Sequence, residues 1–253
     1  LTKRNDTNAA LRRWCGATAN AHRRIKCAIW SERVNAATPF AAKETGHYTL
    51  AVKKQAWKII STERHFANAH VDLVTEQVQT PALGEPHAWT IVHRKAAVVI
   101  APMTDQGEIV LIRQERIPIR ETIWEMPSGQ IDHPLTGTAE PGHTSETIEQ
   151  VALRELREEA GYEVAKNGDL IRLGHYFTSP GFTDECCYFF LARPVQPCKE
   201  GPDRDEGESI VDCRPFKISE IRRMIAENEI RDANTLSLSA RLWARGIMSS
   251  KSA

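Results

Sequence analysis

Arg154-Glu155-Leu156-Arg157-Glu158-Glu159-Ala160-Gly161 decides how the rest of this chain reads. It closes a helix predicted over residues 148–160. Thr147 suits the N-cap, with Gln150 at the partner position of a capping box. Ile148, Ala152, Leu156 and Ala160 form an apolar stripe at i, i+4 spacing, and Gly161 suits the left-handed position after the last turn. Glu155, Glu158 and Glu159 stand at i, i+3 and i+4, so their carboxylates share one helical face. Like charges so spaced repel by roughly a few tenths of a kcal/mol per pair, and these also lie at the negative end of the helix dipole. A helix shaped only by stability would carry Lys or Arg there. Clustered carboxylate oxygens are what a hard divalent cation requires. Read alone, the run also fits a solvated face in which Arg154 pairs with Glu158.

Working outward, β-branched alternation predicts short strands at 57–61, 71–78 and 89–94, with Pro81, Gly84 and Pro86 marking a turn. Ala96-Ala97-Val98-Val99-Ile100-Ala101 is short and apolar throughout, the pattern of a strand buried on both faces. Asp105-Gln106-Gly107 predicts a hairpin into 108–114, giving two paired core strands. Strand-like runs follow at 170–173 and 187–192, then helices near 218–227 and 235–247. One strong helix among strands, with further helices late, indicates a mixed α/β layered domain.

The chain has 253 residues, 41% hydrophobic and 26% charged, an ordinary balance for a globular protein. No apolar run reaches the roughly 18–20 residues needed to span a bilayer, so no membrane association is expected. Residues 1–35 carry eight Lys/Arg against Asp6 and Glu32, a net of +6, which leaves −6 on residues 36–253. An acidic body argues against nucleic-acid binding and fits an anionic substrate handled through metal ions. The basic start reads as a transit peptide, a poorly ordered tail or upstream sequence; it lacks the apolar core of a secretory signal. Cys15, Cys27, Cys186, Cys187, Cys198 and Cys213 form no CxxC pair and have no His at zinc-finger spacing, so reduced thiols are expected.

The stretch 154–162 resembles the core of the Nudix box, REUxEExGU, where U is apolar or aromatic. Glu146 stands at the box's upstream Glu position, eight residues before Arg154. The opening Gly is expected at 140, where this chain has Glu140. Its counterpart is Gly129 in Glu125-Met126-Pro127-Ser128-Gly129-Gln130-Ile131-Asp132, similar to the family's E-x-P-A/S-G-x-x-D. About eleven extra residues then fall within 133–145, in a loop that absorbs such length cheaply. Asp132, His133 and His143 are read as surface loop. The resemblance implies that Glu158 and Glu159 are principal metal ligands for Mg²⁺ (or Mn²⁺). It makes Glu155 a ligand or water-mediated contact and Arg154 a brace.

Flanking segments resemble the ADP-ribose and ADP-sugar pyrophosphatase branch over roughly residues 56–247. Leu111-Ile112-Arg113-Gln114-Glu115-Arg116 is close to a strand ending in R-Q-x-R, whose last arginine, here Arg116, contacts phosphate. Ser179-Pro180-Gly181-Phe182-Thr183-Asp184-Glu185 is similar to the S-P-G-x-[ST]-x-E segment, which places Pro180 and Gly181 at substrate. Asp205-Glu206-Gly207-Glu208 resembles the loop that supplies the catalytic base, with Glu206 and Glu208 both candidates and Glu206 narrowly favoured. Trp57 and Trp89 match two tryptophans that sandwich adenine, and Arg94 holds the spacing of an arginine that binds nearby. The branch exchanges N-terminal strands between subunits, which implies a homodimer.

The expected fold is therefore an α/β/α sandwich around a mixed sheet, plus a small N-terminal β-rich region. The expected divisions are a basic extension over 1–50, a strand region for dimerisation over 51–95 and a catalytic domain over 96–253. The expected reaction is hydrolysis of ADP-ribose to AMP and ribose 5-phosphate, in the cytoplasm unless the basic start directs the chain to an organelle. The alternatives are another nucleotide sugar such as GDP-mannose, a dinucleotide polyphosphate, or a non-catalytic domain that senses ADP-ribose.

Overall fold

The computed structural model describes residues 57–82, 84–132, 146–203 and 209–249. The extension over 1–50, His133, His143, Glu206 and Glu208 lie outside the described residues. The strands are β1 (Lys58–Ala67), β2 (Val71–Gln79), β3 (His87–Arg94), β4 (Ala97–Thr104), β5 (Ile109–Arg116), β6 (Glu121–Glu125), β7 (Ser128–Gln130), β8 (Tyr162–Phe177), β9 (Cys186–Pro197) and β10 (Ile210–Phe216). The helices are α1 (Ile148–Ala160), α2 (Ile218–Ala226) and α3 (Ala233–Ala244).

Side-chain alternation along β4, β5 and β9 divides the core in two. Val98, Ile100, Val110, Ile112, Phe190 and Ala192 point to one face and pack with Ile148, Val151, Ala152 and Leu156 of α1. Val99, Ala101, Ile109, Leu111, Phe189 and Leu191 point to the other, against Ile221 and Met224 of α2 and Leu238 and Leu242 of α3. A sheet covered on both faces needs apolar residues at every position, which is why β4 reads as an unbroken hydrophobic run. The layers are those of the expected α/β/α sandwich.

The central sheet runs β10-β5-β4-β9-β8, with β6 added on β5 and β7 on β4. It is mixed, because β4 and β9 are parallel while β8 and β9 are antiparallel. A separate antiparallel sheet runs β1-β2-β3. The hairpin at 105–107 forms, with Gly107 at φ 76° and its N–H donating to the Thr104 carbonyl at 3.0 Å. It does not, however, continue into a long ladder. The β4–β5 register is the one pair Met103 with Ile109; beyond it β7 takes the edge of β4 at 97–99, and β5 turns to β6 and β10. Into the opening between them runs the link 126–127, whose Pro127 carbonyl accepts from the Ile100 N–H at 2.9 Å. This parting of two strands makes room for the site.

Helix α1 has the predicted limits. Its capping box is closed, with the Gln150 N–H donating to Thr147 Oγ1 at 3.2 Å and the Thr147 N–H to Gln150 Oε1 at 2.8 Å. Helix α3 begins two residues before its predicted start, because Asp232 rather than a later residue caps it, accepting from the Thr235 N–H at 2.7 Å. Cys186, Cys187, Cys198 and Cys213 are free, and Cys187 is buried. Among the described residues no helix is long and apolar enough to cross a membrane.

Gly161 ends α1 at φ 68°, and a Cβ there would stand 2.9 Å from the nitrogen and Cδ of Pro202. Gly161→Ala is expected to destabilise the protein by about 1–2 kcal/mol from the left-handed conformation alone, read as a lower urea midpoint. An unchanged midpoint contradicts this account of the helix end.

Candidate active site

Glu155, Glu158 and Glu159 share a side of α1 but not an environment. Glu155 and Glu159, one turn apart, are buried at 5% and 2% exposure, level with the apolar stripe. Glu158 sits at the edge, its side chain 28% exposed. The buried pair meets the segment 125–129. The Ser128 N–H donates to Glu159 Oε2 at 2.7 Å. The Glu155 carboxylate lies against Gly129 so closely that an added Cβ would fall 1.9 Å from Glu155 Cδ. Only glycine leaves that space, and this is the structural reason for a Gly in the motif.

Arg154 gathers the outer carboxylates. It reaches Glu158 Oε2 at 2.6 Å, Glu155 Oε1 at 3.0 Å and Glu146 Oε2 at 3.3 Å. Partial burial works against its charge, but these carboxylates outweigh it and hold the guanidinium above its ordinary pKa. Buried carboxylates cost several kcal/mol each unless compensated, on the order of the penalties known for buried ions. Arg154 and the Ser128 N–H offset part of this negative charge. The donor set is all carboxylate oxygen, the chemistry of a hard divalent cation. Among the described residues no three His, Cys, Asp or Glu side chains converge as a ready metal cage. The donors fit a cation in kind, while the present rotamers turn Glu155 and Glu158 to Arg154 and Glu159 to Ser128.

Beside this helix lies a cavity of about 450 Å³. Its lining includes Arg94, Arg116, Glu125, Glu185, residues 128–130 and the start of α3. Arg116 Nε donates to Glu125 Oε1 at 2.8 Å, and its Nη2 bonds Glu125 Oε2. Glu125 is 1% exposed; burial pushes its carboxyl pKa up, and Arg116 offsets part of that. The hydrogen bonds to Glu125 in turn raise the Arg116 pKa, with weaker contributions from Asp232 and Glu159. Arg94 Nη1 pairs with Glu185 Oε1 at 3.2 Å. A larger cavity of about 530 Å³, bounded by Glu108, Tyr162 and Gln196 among others, contains none of the candidate residues; chemistry rather than size selects between them.

The loop 179–185 runs along β3. Trp89 Nε1 donates to the Gly181 carbonyl at 3.1 Å, and the Val92 N–H to the Phe182 carbonyl at 2.8 Å. Asp184 accepts from the Arg94 N–H at 3.1 Å and lies 2.7 Å from His93 Nδ1. Trp89, Arg94, Pro180 and Gly181 are thus brought together. Trp57 is not among them. Trp89 stands opposite Glu76 and Glu76 opposite Thr62, which leaves Trp57 five residues further, about 16 Å along the strand direction. Both tryptophans are half exposed, at 59% and 52%, and they do not face each other within one chain. Glu125, Ser128, Glu185 and Asn234 carry site geometry that the sequence reading gave no role. Glu125 had a signal, since it opens the motif stretch that carries Gly129.

The NUDIX domain model matches residues 92–238. An ADP-ribose pyrophosphatase of Bacillus subtilis is 33% identical over 178 residues, covering 70% of this chain and 88% of that protein. A methanol dehydrogenase activator of Bacillus methanolicus is 31% identical over 71% of this chain and 88% of its own length. A solved structure described as an ADP compounds hydrolase superimposes with a TM-score of 0.60 over 76% of this chain and 96% of that one, at 19% identity, which speaks for the fold. The box helix, its glycine-bearing partner loop and these matches together identify the chain as a member of the Nudix family.

Proposed function

We propose that this protein hydrolyses the pyrophosphate bond of ADP-ribose, giving AMP and ribose 5-phosphate. The observation that carries the reading is the segment 128–130, which touches two buried glutamates of α1 and also lines a cavity holding two arginines. Carboxylates for a cation and guanidinium groups for phosphate so adjoin through three residues of backbone. The similarity to an ADP-ribose pyrophosphatase supports the choice of nucleotide sugar over other diphosphates.

Glu155, Glu158 and Glu159 would hold a divalent cation, Mg²⁺ or Mn²⁺. Bound there, it would neutralise the diphosphate and orient the attacking water. Arg154 braces the glutamates, and the Ser128 N–H fixes Glu159. Arg116, clamped by Glu125 through Nε and Nη2, and Arg94 hold phosphoryl oxygens by charge-assisted hydrogen bonds. Water oxygen bonds to one phosphorus as the bridging P–O bond breaks, and Glu206 or Glu208 accepts the proton. Pro180 and Gly181 shape the loop that fixes Trp89.

The adenine sandwich is completed by a second copy. β1 is an edge strand, exposed over all ten residues, with Ile59, Ile60 and Phe66 among its exposed side chains and Trp57 just before it. A second subunit is the source we propose for the tryptophan that would face Trp89. A cytoplasmic homodimer is the working assembly.

Three variants test this. Glu159→Gln is expected to lower kcat for ADP-ribose on the order of 100-fold or more while the thermal midpoint holds; retained turnover removes Glu159 from metal binding. Gly129→Ala is expected to fold, because the added Cβ meets the carboxylate end of a side chain, Glu155, and no backbone, yet to lose about tenfold or more in kcat by displacing that carboxylate. Normal turnover would show that the close approach does not matter. Trp57→Ala is expected to raise KM about tenfold or more, with sedimentation equilibrium reporting a dimer for the parent protein. A monomeric parent, or an unchanged KM, contradicts the shared sandwich. Faster turnover of GDP-mannose than of ADP-ribose would replace the substrate.

A further inference from the structure

The first turn of α3 forms one wall of the 450 Å³ cavity through Arg231, Asp232, Ala233 and Asn234. No motif pointed to this wall. Two of its polar side chains are already committed. The Asp232 carboxylate caps the helix, accepting from the N–H and Oγ1 of Thr235, both at 2.7 Å. The Arg231 guanidinium pairs with Glu121. Ala233 has no polar group to offer.

Asn234 differs. Its Oδ1 accepts from the Tyr176 hydroxyl. Tyr176 is held in β8 with its ring stacked on Phe189 at 4.9 Å between centroids, and Phe189 is fully buried. Burial raises the pKa of the Tyr176 hydroxyl, with Cys187 adding to the effect, so the group keeps the proton it donates to Asn234. A donor at Oδ1 fixes which way round the amide stands. The Asn234 amide nitrogen then faces away from Tyr176, and its two N–H groups are presented at a residue that lines the cavity.

Along β3, Arg94 is five residues from Trp89, about 16 Å. Arg94 lines the cavity and Trp89 does not. With the base at Trp89 and the diphosphate at Arg94 and Arg116, the α3 wall is left for the group beyond the diphosphate. A neutral amide donor suits a hydroxyl oxygen there, whereas a third phosphate would call for a cation.

We infer that Asn234, oriented by Tyr176, is a specificity-determining contact to a sugar hydroxyl on the far side of the diphosphate. The inference rests on the nucleotide-sugar reading above. It predicts discrimination by the second moiety, achieved with a neutral hydrogen bond and no change in the chemistry of the metal site.

The test compares ADP-ribose with the β-methyl ester of ADP, which keeps the diphosphate and has no second sugar. In Asn234→Ala the KM for ADP-ribose is expected to rise about tenfold, the effect of one hydrogen bond made equally in ground and transition states. The kcat for ADP-ribose and the KM for the methyl ester are expected to hold. Tyr176→Phe is expected to act in the same direction more weakly, and it carries the same comparison if the alanine variant does not fold. An equal penalty on both substrates, or none on either, overturns the Asn234 assignment while leaving the hydrolase reading intact. A wild-type enzyme that cleaves the methyl ester but not ADP-ribose overturns the substrate reading and this contact with it.

Discussion

One backbone hydrogen bond, from the Ser128 N–H to the Glu159 carboxylate, joins the acidic helix to the segment that carries the rest of the site. Everything nearby depends on where 125–129 runs. Glu125 clamps Arg116, the Met126 N–H donates to Thr235 Oγ1 at 2.9 Å, and the Pro127 carbonyl accepts from Ile100. Gly129 leaves space for Glu155. Five consecutive residues therefore tie α1, β5, β4 and the cap of α3 to one another. The segment fits there because β4 and β5 part after a single pair, so the opening in the sheet and the assembly of the site have the same cause.

The energetic logic follows from burial. Glu125, Glu155 and Glu159 are all at most 5% exposed, which no requirement of folding demands. Two of them are partly compensated by arginines, and Glu159 by an amide. Replacing such groups with well-packed apolar residues is often neutral or stabilising. Their burial in a core this close-packed supports the proposal that they serve chemistry rather than stability. Arg154 keeps the negative charge tolerable, and a divalent cation in the same region would compensate it more fully. The exposed edge of β1 is a second cost, because a long exposed strand edge invites pairing unless a subunit covers it.

How much of this the sequence revealed varied with the range of the interaction involved. Helix α1 was legible to the residue, because its cap, stripe and terminal glycine are local signals that agree. The strands β4 and β9 were legible because burial on both faces leaves a continuous apolar run. β6, β7 and β10 were not. β6 has five residues and opens on Glu121-Thr122; β7 is Ser-Gly-Gln with no apolar residue; β10 is interrupted by Asp212, Arg214 and Pro215. Each is held in place by its neighbour rather than by its own pattern. The glutamates and the two cavity arginines were visible through motif spacing. The burial of Glu155 against Gly129 and of Glu159 against Ser128 was not, since these contacts join residues far apart in the chain. Asn234 gave no sign at all, because its meaning depends on a tyrosine 58 positions earlier.

The most direct measurement incubates the wild-type protein with ADP-ribose in Mg²⁺ and, in parallel, in excess chelator, with the products separated chromatographically. AMP and ribose 5-phosphate in equal amounts with Mg²⁺, and neither with chelator, is the predicted result. Undiminished hydrolysis in chelator, or no hydrolysis in either, would contradict the claim that these buried glutamates serve a metal-dependent pyrophosphatase.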